Sequence, residues 1–201
     1  MSIMNTYTGR QFDPLHMQTK DVCLEDIAHA LSFLCRGGGQ TLFFYSVAQH
    51  CLNCAREAKA RKWPDRMVLA CLLHDASEAY ISDIIRPVKA HLNNYLEIEE
   101  QIMQVIWKRF GLDDLTKEEH SMWKQIDNEI LSAELPALFP SEEGHKSAPL
   151  LSVPDLTYKP FTKIEQAFLD MAKALGVWFV KKKRAVSSSF LFLYCYISRI
   201  W

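Results

Sequence analysis

The chain has 201 residues, 49% of them hydrophobic and 23% charged, with a formal net charge of −1. That length supports one domain with a substantial core, and the composition is that of an ordinary globular protein. Without a basic excess there is no electrostatic footprint for a nucleic-acid backbone, although a small anionic substrate needs only a local positive site.

Residues 1–22 are polar and turn-rich, with Gly9 and Pro14, and read as an extended or irregular surface segment. No charged stretch leads into an apolar run there, so no secretory signal is expected. From Leu24 onward Ile27, Ala28, Leu31 and Leu34 recur at helical spacing, and the glycines Gly37, Gly38 and Gly39 stop that helix. A second helix is expected over about 45–62, with Val47, Ala48, Cys51, Ala55 and Ala58 on its apolar face. A third, over about 65–80, is apolar nearly all round across 67–73 and should be the central buried helix. Residues 82–87 read as a loop, and a fourth helix covers about 92–110 before Gly111 ends it. Thr116 followed by Glu119 has the form of a capping box for a fifth helix, which Pro136 should stop. Residues 140–160 carry four prolines and read as a long loop, and a sixth helix covers about 162–179. The expected architecture is an all-α bundle of about six helices in one domain over residues 1–180.

Residues 181–201 do not fit that pattern. A basic run, Lys181-Lys182-Lys183-Arg184, precedes three serines and the apolar stretch 190–197. That stretch is far short of the roughly 18 residues of a membrane-spanning helix. Three readings stand: a last packing element, a basic-plus-aromatic membrane contact, or a stretch without function. The six cysteines lie too sparsely for a disulfide scaffold, and most fall in apolar helical patterns, so reduced buried thiols are expected. Cys51 and Cys54 form a lone CxxC with no second pair to complete a structural zinc site.

The chemistry concentrates at four residues. His74 and Asp75 are adjacent at the end of the most apolar helix, where polar groups are costly unless paired or metal-bound. His50 lies on the preceding helix and Asp127 on a later one, so three helices of a bundle can project these groups into one interior site. Two imidazoles and two carboxylates make a mixed nitrogen and oxygen donor set suited to Mn²⁺, Fe²⁺, Co²⁺, Ni²⁺ or Zn²⁺. Asp75 and Glu78 stand three apart, on one side if the helix continues. His29 reads as structural. His120 precedes Asp127 by seven residues, roughly 10 Å along a helix axis, and cannot share its ion. His91 also lies between His74-Asp75 and Asp127, where with His120 it leaves a second-metal site open as a lesser alternative, and His16 and His145 fall in loops.

The order His50, His74-Asp75, Asp127 resembles the signature of the HD-domain metal-dependent phosphohydrolases. Residues 46–50, 74–78 and 82–89 are similar to the helical branch that contains the bacterial 5′-deoxynucleotidases, and 26–36 resembles an uncharacterised bacterial and phage group in that branch. The resemblance covers roughly residues 5–178. It implies an HD-domain bundle in which His50, His74, Asp75 and Asp127 hold one divalent ion: Mn²⁺, Co²⁺, Fe²⁺, Ni²⁺, Zn²⁺ or Mg²⁺. It implies that Glu78 positions the attacking water beside Asp75, that Arg36 holds the substrate phosphate and that Asp83 contacts a sugar. The implied activity is hydrolysis of a nucleotide phosphomonoester, 5′-nucleotidase-like, in a cytoplasmic protein with no nucleic-acid partner and no membrane span, whose relatives often form homodimers. Two alternatives stay open: a non-catalytic or signalling nucleotide-binding protein, and a phosphodiesterase or nucleoside triphosphate hydrolase. The chain departs from the deoxynucleotidases at Cys35-Arg36-Gly37, where they carry Arg-Trp, and at Ile85, where they carry Pro. Gln40 stands where closer relatives have His. These positions face substrate specificity and leave the metal ligands intact.

Overall fold

Period-3.6 apolar patterning produces the architecture it predicts. A computed structural model describes residues 3–142 and 146–177, and nearly all regular structure in them is helical. β1 (Met4–Asn5) and β2 (Gln11–Phe12) form a small antiparallel ribbon with Met4 opposite Phe12. The helices are α1 (Leu24–Phe33), α2 (Val47–Ala60), α3 (Asp65–Leu73), α4 (Glu78–Ile81), α5 (Arg86–Lys89), α6 (Asn93–Arg109), α7 (Lys117–Leu138) and α8 (Phe161–Ala174). The N-terminal segment is tied to α1 by Asp26, whose buried carboxylate accepts from Thr6 Oγ1 at 2.8 Å and from the Thr8 amide at 2.6 Å. Of the expected thiols, Cys23, Cys35, Cys51, Cys54 and Cys71 are free, while Cys195 and residues 181–201 lie outside the described residues.

α2 and α3 pack side by side at the centre. α7 lies across both, and α1 and α8 close the other side. One apolar cluster joins them, with Ile27, Leu31, Leu72, Leu73, Ile126 and Phe168 among its fully buried members. α2 is buried so completely that its polar residues Gln49, His50, Asn53 and Glu57 are buried too. Each has a partner, as burial requires. Gln49 Nε2 donates to the carbonyls of Asp155 and Thr157, and Asn53 exchanges hydrogen bonds with the Asp155 backbone. Glu57 accepts from the amides of Leu151 and Ser152 and from Arg61. The proline-rich loop expected at 140–160 is thereby fastened to α2 by side chains rather than by secondary structure.

Three boundaries differ from the expected ones. The helix anticipated over 65–80 divides: α3 ends at Leu73, and the chain tightens through His74–Ser77 by bonds from Ala76 N to Leu73 O and Glu78 N to Asp75 O before α4 begins. The fifth helix starts with the expected capping box, Thr116 with Glu119, but runs through Pro136 to Leu138. Pro136 deprives the Ser132 carbonyl of its helical donor. Ser147 Oγ supplies one at 3.2 Å, and Ser132 Oγ accepts from the Ala148 amide. The sixth helix ends at Ala174, ahead of Gly176 at φ +84°. No helix among the described residues is long and apolar enough to cross a membrane.

Candidate metal centre

Three local features aim the expected ligands. Ser46 caps α2 by accepting from the Gln49 amide, which places His50 in the first turn. The tightened turn after α3 directs His74 and Asp75 toward α2. Asp127 sits mid-way along α7 on the side that meets α2 and α3.

The four side chains converge. His50 Nε2 stands 3.1 Å from Asp127 Oδ1 and 3.9 Å from Asp75 Oδ2. His74 Nε2 stands 3.3 Å from Asp75 Oδ2 and 3.8 Å from Asp127 Oδ1. Nitrogen and oxygen donors sharing one transition-metal ion, with bonds near 2.0–2.2 Å, lie roughly 2.9–4.3 Å apart. All four separations fall in that range. The imidazoles are oriented for it as well. His74 Nδ1 faces the Cys71 carbonyl at 2.8 Å, which can only accept, so Nδ1 carries the proton. Its Nε2 is buried with no hydrogen-bond partner, an orphan that a metal ion would satisfy. Cys54 and Cys51 adjoin the cluster: the sets His50, Cys54, His74 and Cys51, His74, Asp75 each bring buried or half-buried donors close enough to hold an ion.

Sequence patterning did not single out Glu134, one turn short of the end of α7 and 99% buried. Its Oε1 receives His50 Nδ1 and the Tyr45 hydroxyl, each at 2.7 Å, and its Oε2 lies 3.5 Å from Arg36 Nε. Burial opposes its ionisation, but His50 and Arg36 hold its pKa below the ordinary value. An ionised carboxylate accepts only, so His50 donates from Nδ1 and turns Nε2 to the cluster. This is the carboxylate–histidine arrangement that orients metal ligands. The signal available in the sequence was spacing: Glu134 follows Asp127 by seven residues and so shares its helical face.

Negative charge dominates the interior. Burial opposes ionisation of Asp75 and Asp127, yet His74 and Arg36 hold Asp75, and both imidazoles hold Asp127, well below the carboxylate range. Burial also disfavours protonated His50 and His74, as does Arg36 for His50, but Cys54, Glu134 and Asp127 around His50, and Asp75, Cys51 and Asp127 around His74, raise both well above the usual imidazole value. Glu78 behaves oppositely. Burial first, then the charges of Asp75 and Asp83, raise it from 4.5 to about 9, and its Oε2 is buried without a partner.

Of the expected substrate contacts, Arg36 is drawn in. It is set by its amide bonding to the Tyr45 carbonyl, and its Nη1 lies 3.2 Å from Asp75 Oδ2. Gly37 follows at φ +63°, and a Cβ there would meet Phe139 Cζ at 2.8 Å, so only glycine fits beside Arg36. Asp83 is half-buried near Arg36 and the Gly37 amide. A cavity of about 650 Å³ opens on His74, Asp75 and Asp127, with Arg86, Lys89 and Trp123 in its wall. The remaining histidines stand apart. His29 stacks on Tyr7 at 3.5 Å and pairs with Glu165, and His16 pairs with Asp13. His120 accepts from the Trp123 indole at the cavity's far wall. His145 lies outside the described residues.

No family model matches the chain. It is 38% identical over 112 residues to the uncharacterized protein YfdR of Escherichia coli K12, covering 56% of this chain and 60% of that protein. It is 42% identical over 111 residues to an uncharacterized protein of Rhodobacter capsulatus, covering 52% of this chain and 56% of the other. The chain thus spans somewhat more than half the length of these curated relatives.

Two measurements probe this electrostatic arrangement. Glu134→Gln keeps the shape but removes the charge that orients His50, and affinity for Mn²⁺ or Zn²⁺ in calorimetry should fall about 10–100-fold; unchanged affinity would remove Glu134 from the centre. Glu78 is neutral when folded but ionised when unfolded between pH 4.5 and about 9, so the metal-free fold loses stability as pH rises through that window. Metal-free Glu78→Gln should therefore melt higher than the parent at about pH 8 and equally near pH 4. A gain that does not depend on pH would contradict the assignment.

Proposed function

We propose that this chain is a metal-dependent phosphohydrolase of the HD type that cleaves a phosphomonoester of a nucleotide. The observation that carries the reading is the convergence of His50, His74, Asp75 and Asp127, with donor separations of 3.1–3.9 Å, the last three of them lining a cavity of about 650 Å³. Free thiols at the described cysteines suit a reducing cytoplasm.

A divalent ion held by these four residues would polarise a phosphoryl oxygen and lower the pKa of a bound water. The protein's own groups supply the rest. His50 and His74 are fixed through Nδ1 by Glu134 and the Cys71 carbonyl, so no reorganisation is needed to present Nε2. Arg36 offers a planar guanidinium to phosphate oxygens, a bidentate match that lysine lacks. Its present contact with Asp75 holds it at the edge of the cluster. Glu78 is the proton carrier. Its buried, unpartnered oxygen is available to a water, and its raised pKa keeps a proton on the carboxyl at neutral pH that it can donate. Arg86 and Lys89 add positive charge along the cavity, and Trp123 offers a face on which a planar base can stack. Asp83 is the acceptor for a sugar hydroxyl.

A screen of nucleoside mono- and triphosphates with Mn²⁺, Co²⁺ and Mg²⁺ tests the reading. The parent should release inorganic phosphate from a monophosphate, and His50→Ala and Asp127→Ala should each reduce metal-stimulated release to background. Full activity in either variant would defeat the assignment, and tripolyphosphate as product would move the substrate to a triphosphate.

A further inference from the structure

The expected ligand set leaves a donor unused. Cys54 follows His50 by four residues on α2 and so lies on the same helical face, one turn on. Its sulfur is buried and stands 3.5 Å from His50 Nε2, the nitrogen turned to the cluster. An imidazole nitrogen and a thiolate sulfur bound tetrahedrally to one zinc ion stand about 3.6 Å apart. Cys54 Sγ also comes within ligand-sharing distance of His74, whose Nε2 is the buried orphan of the site. Two independent features therefore meet at one point: a histidine–cysteine pair at chelating spacing, and an unpartnered buried nitrogen.

We infer that Cys54 is an additional metal ligand, through its thiolate, which biases this centre toward zinc, cobalt or ferrous iron and away from magnesium. The inference rests on the metal centre proposed above and extends it to a donor outside the two-histidine, two-aspartate set. The step is an exchange without redox change: the Cys54 S–H bond breaks, the proton leaves to solvent, and a sulfur–metal bond forms. Thiolate ligands select thiophilic ions, whereas magnesium prefers oxygen donors and keeps its waters. Cys51, three residues earlier, falls into a different grouping with His74 and Asp75, so it serves as the comparison.

The test uses the full chain stripped of metal and loaded with one equivalent of Co²⁺. Bound cobalt gives visible d–d bands, and a thiolate ligand adds a near-ultraviolet sulfur-to-cobalt charge-transfer band. The parent should show both, Cys54→Ser should lose the near-ultraviolet band while keeping the visible ones, and Cys51→Ser should keep both. Visible bands without the charge-transfer band in the parent would overturn the role of Cys54 and leave the metal centre standing, as would persistence of that band in Cys54→Ser. Absence of all cobalt bands would overturn the inference together with the centre. If Cys54→Ser does not fold, zinc-edge X-ray absorption of the parent and of Cys51→Ser decides. A sulfur shell at about 2.3 Å in both supports the assignment, and a shell of nitrogen and oxygen alone in either refutes it.

Discussion

A deficit of positive charge in the interior governs this molecule. Asp75, Asp127 and Glu134 are held ionised where α2, α3 and α7 meet; Arg36 contacts Asp75 and Glu134 from inside, and the exposed Arg86 reaches Asp127 at 3.4 Å. With Arg86 at the exposed rim, three carboxylates against the one inward guanidinium of Arg36 leave two charges inside the cluster to be supplied. Without an ion, His50 and His74 supply them by holding protons well above their usual range. A single divalent cation supplies the same charge and frees both Nε2 atoms to bind it. Protons and metal thus compete for one site, which couples affinity to pH.

The polar face of α2 extends this logic beyond the ligands. His50 is one member of a buried stripe with Gln49, Asn53 and Glu57, and the other three grip the backbone of the loop that follows α7. That loop returns Ser147 and Ala148 to Ser132, two residues before Glu134 on α7. The orientation of His50 is consequently backed by a closed circuit running from α2 to the loop, to α7 and back through Glu134. Removing one partner of such a buried charged pair typically costs about 3–5 kcal/mol, because the remaining charge has nowhere to go. This is why an isosteric neutral substitution at Glu134 is more informative than truncation.

Much of this was legible in the residues themselves. The all-α class followed from apolar spacing in segments such as 24–34 and 67–73, and the Thr116–Glu119 box marked the start of α7. The convergence of His50, His74, Asp75 and Asp127 followed from polar groups standing where a bundle should be apolar. Other features were not legible for identifiable reasons. Pro136 reads as a terminator because its rescue by Ser147 is a long-range contact. The break between α3 and α4 is a change of hydrogen-bond register that leaves the apolar pattern unaltered. Glu134 looks like any glutamate on a charged helix until Tyr45 and His50 are folded onto it.

The most direct test is a crystal structure of the full chain soaked in Mn²⁺ with data collected for anomalous scattering. One peak should appear about 2.0–2.3 Å from His50 Nε2 and His74 Nε2 and in contact with Asp75 and Asp127, with Glu134 still bonded to His50 Nδ1. A protein that takes up no manganese there, or one whose His50 and His74 remain paired only with carboxylates while the ion binds elsewhere, would contradict the account.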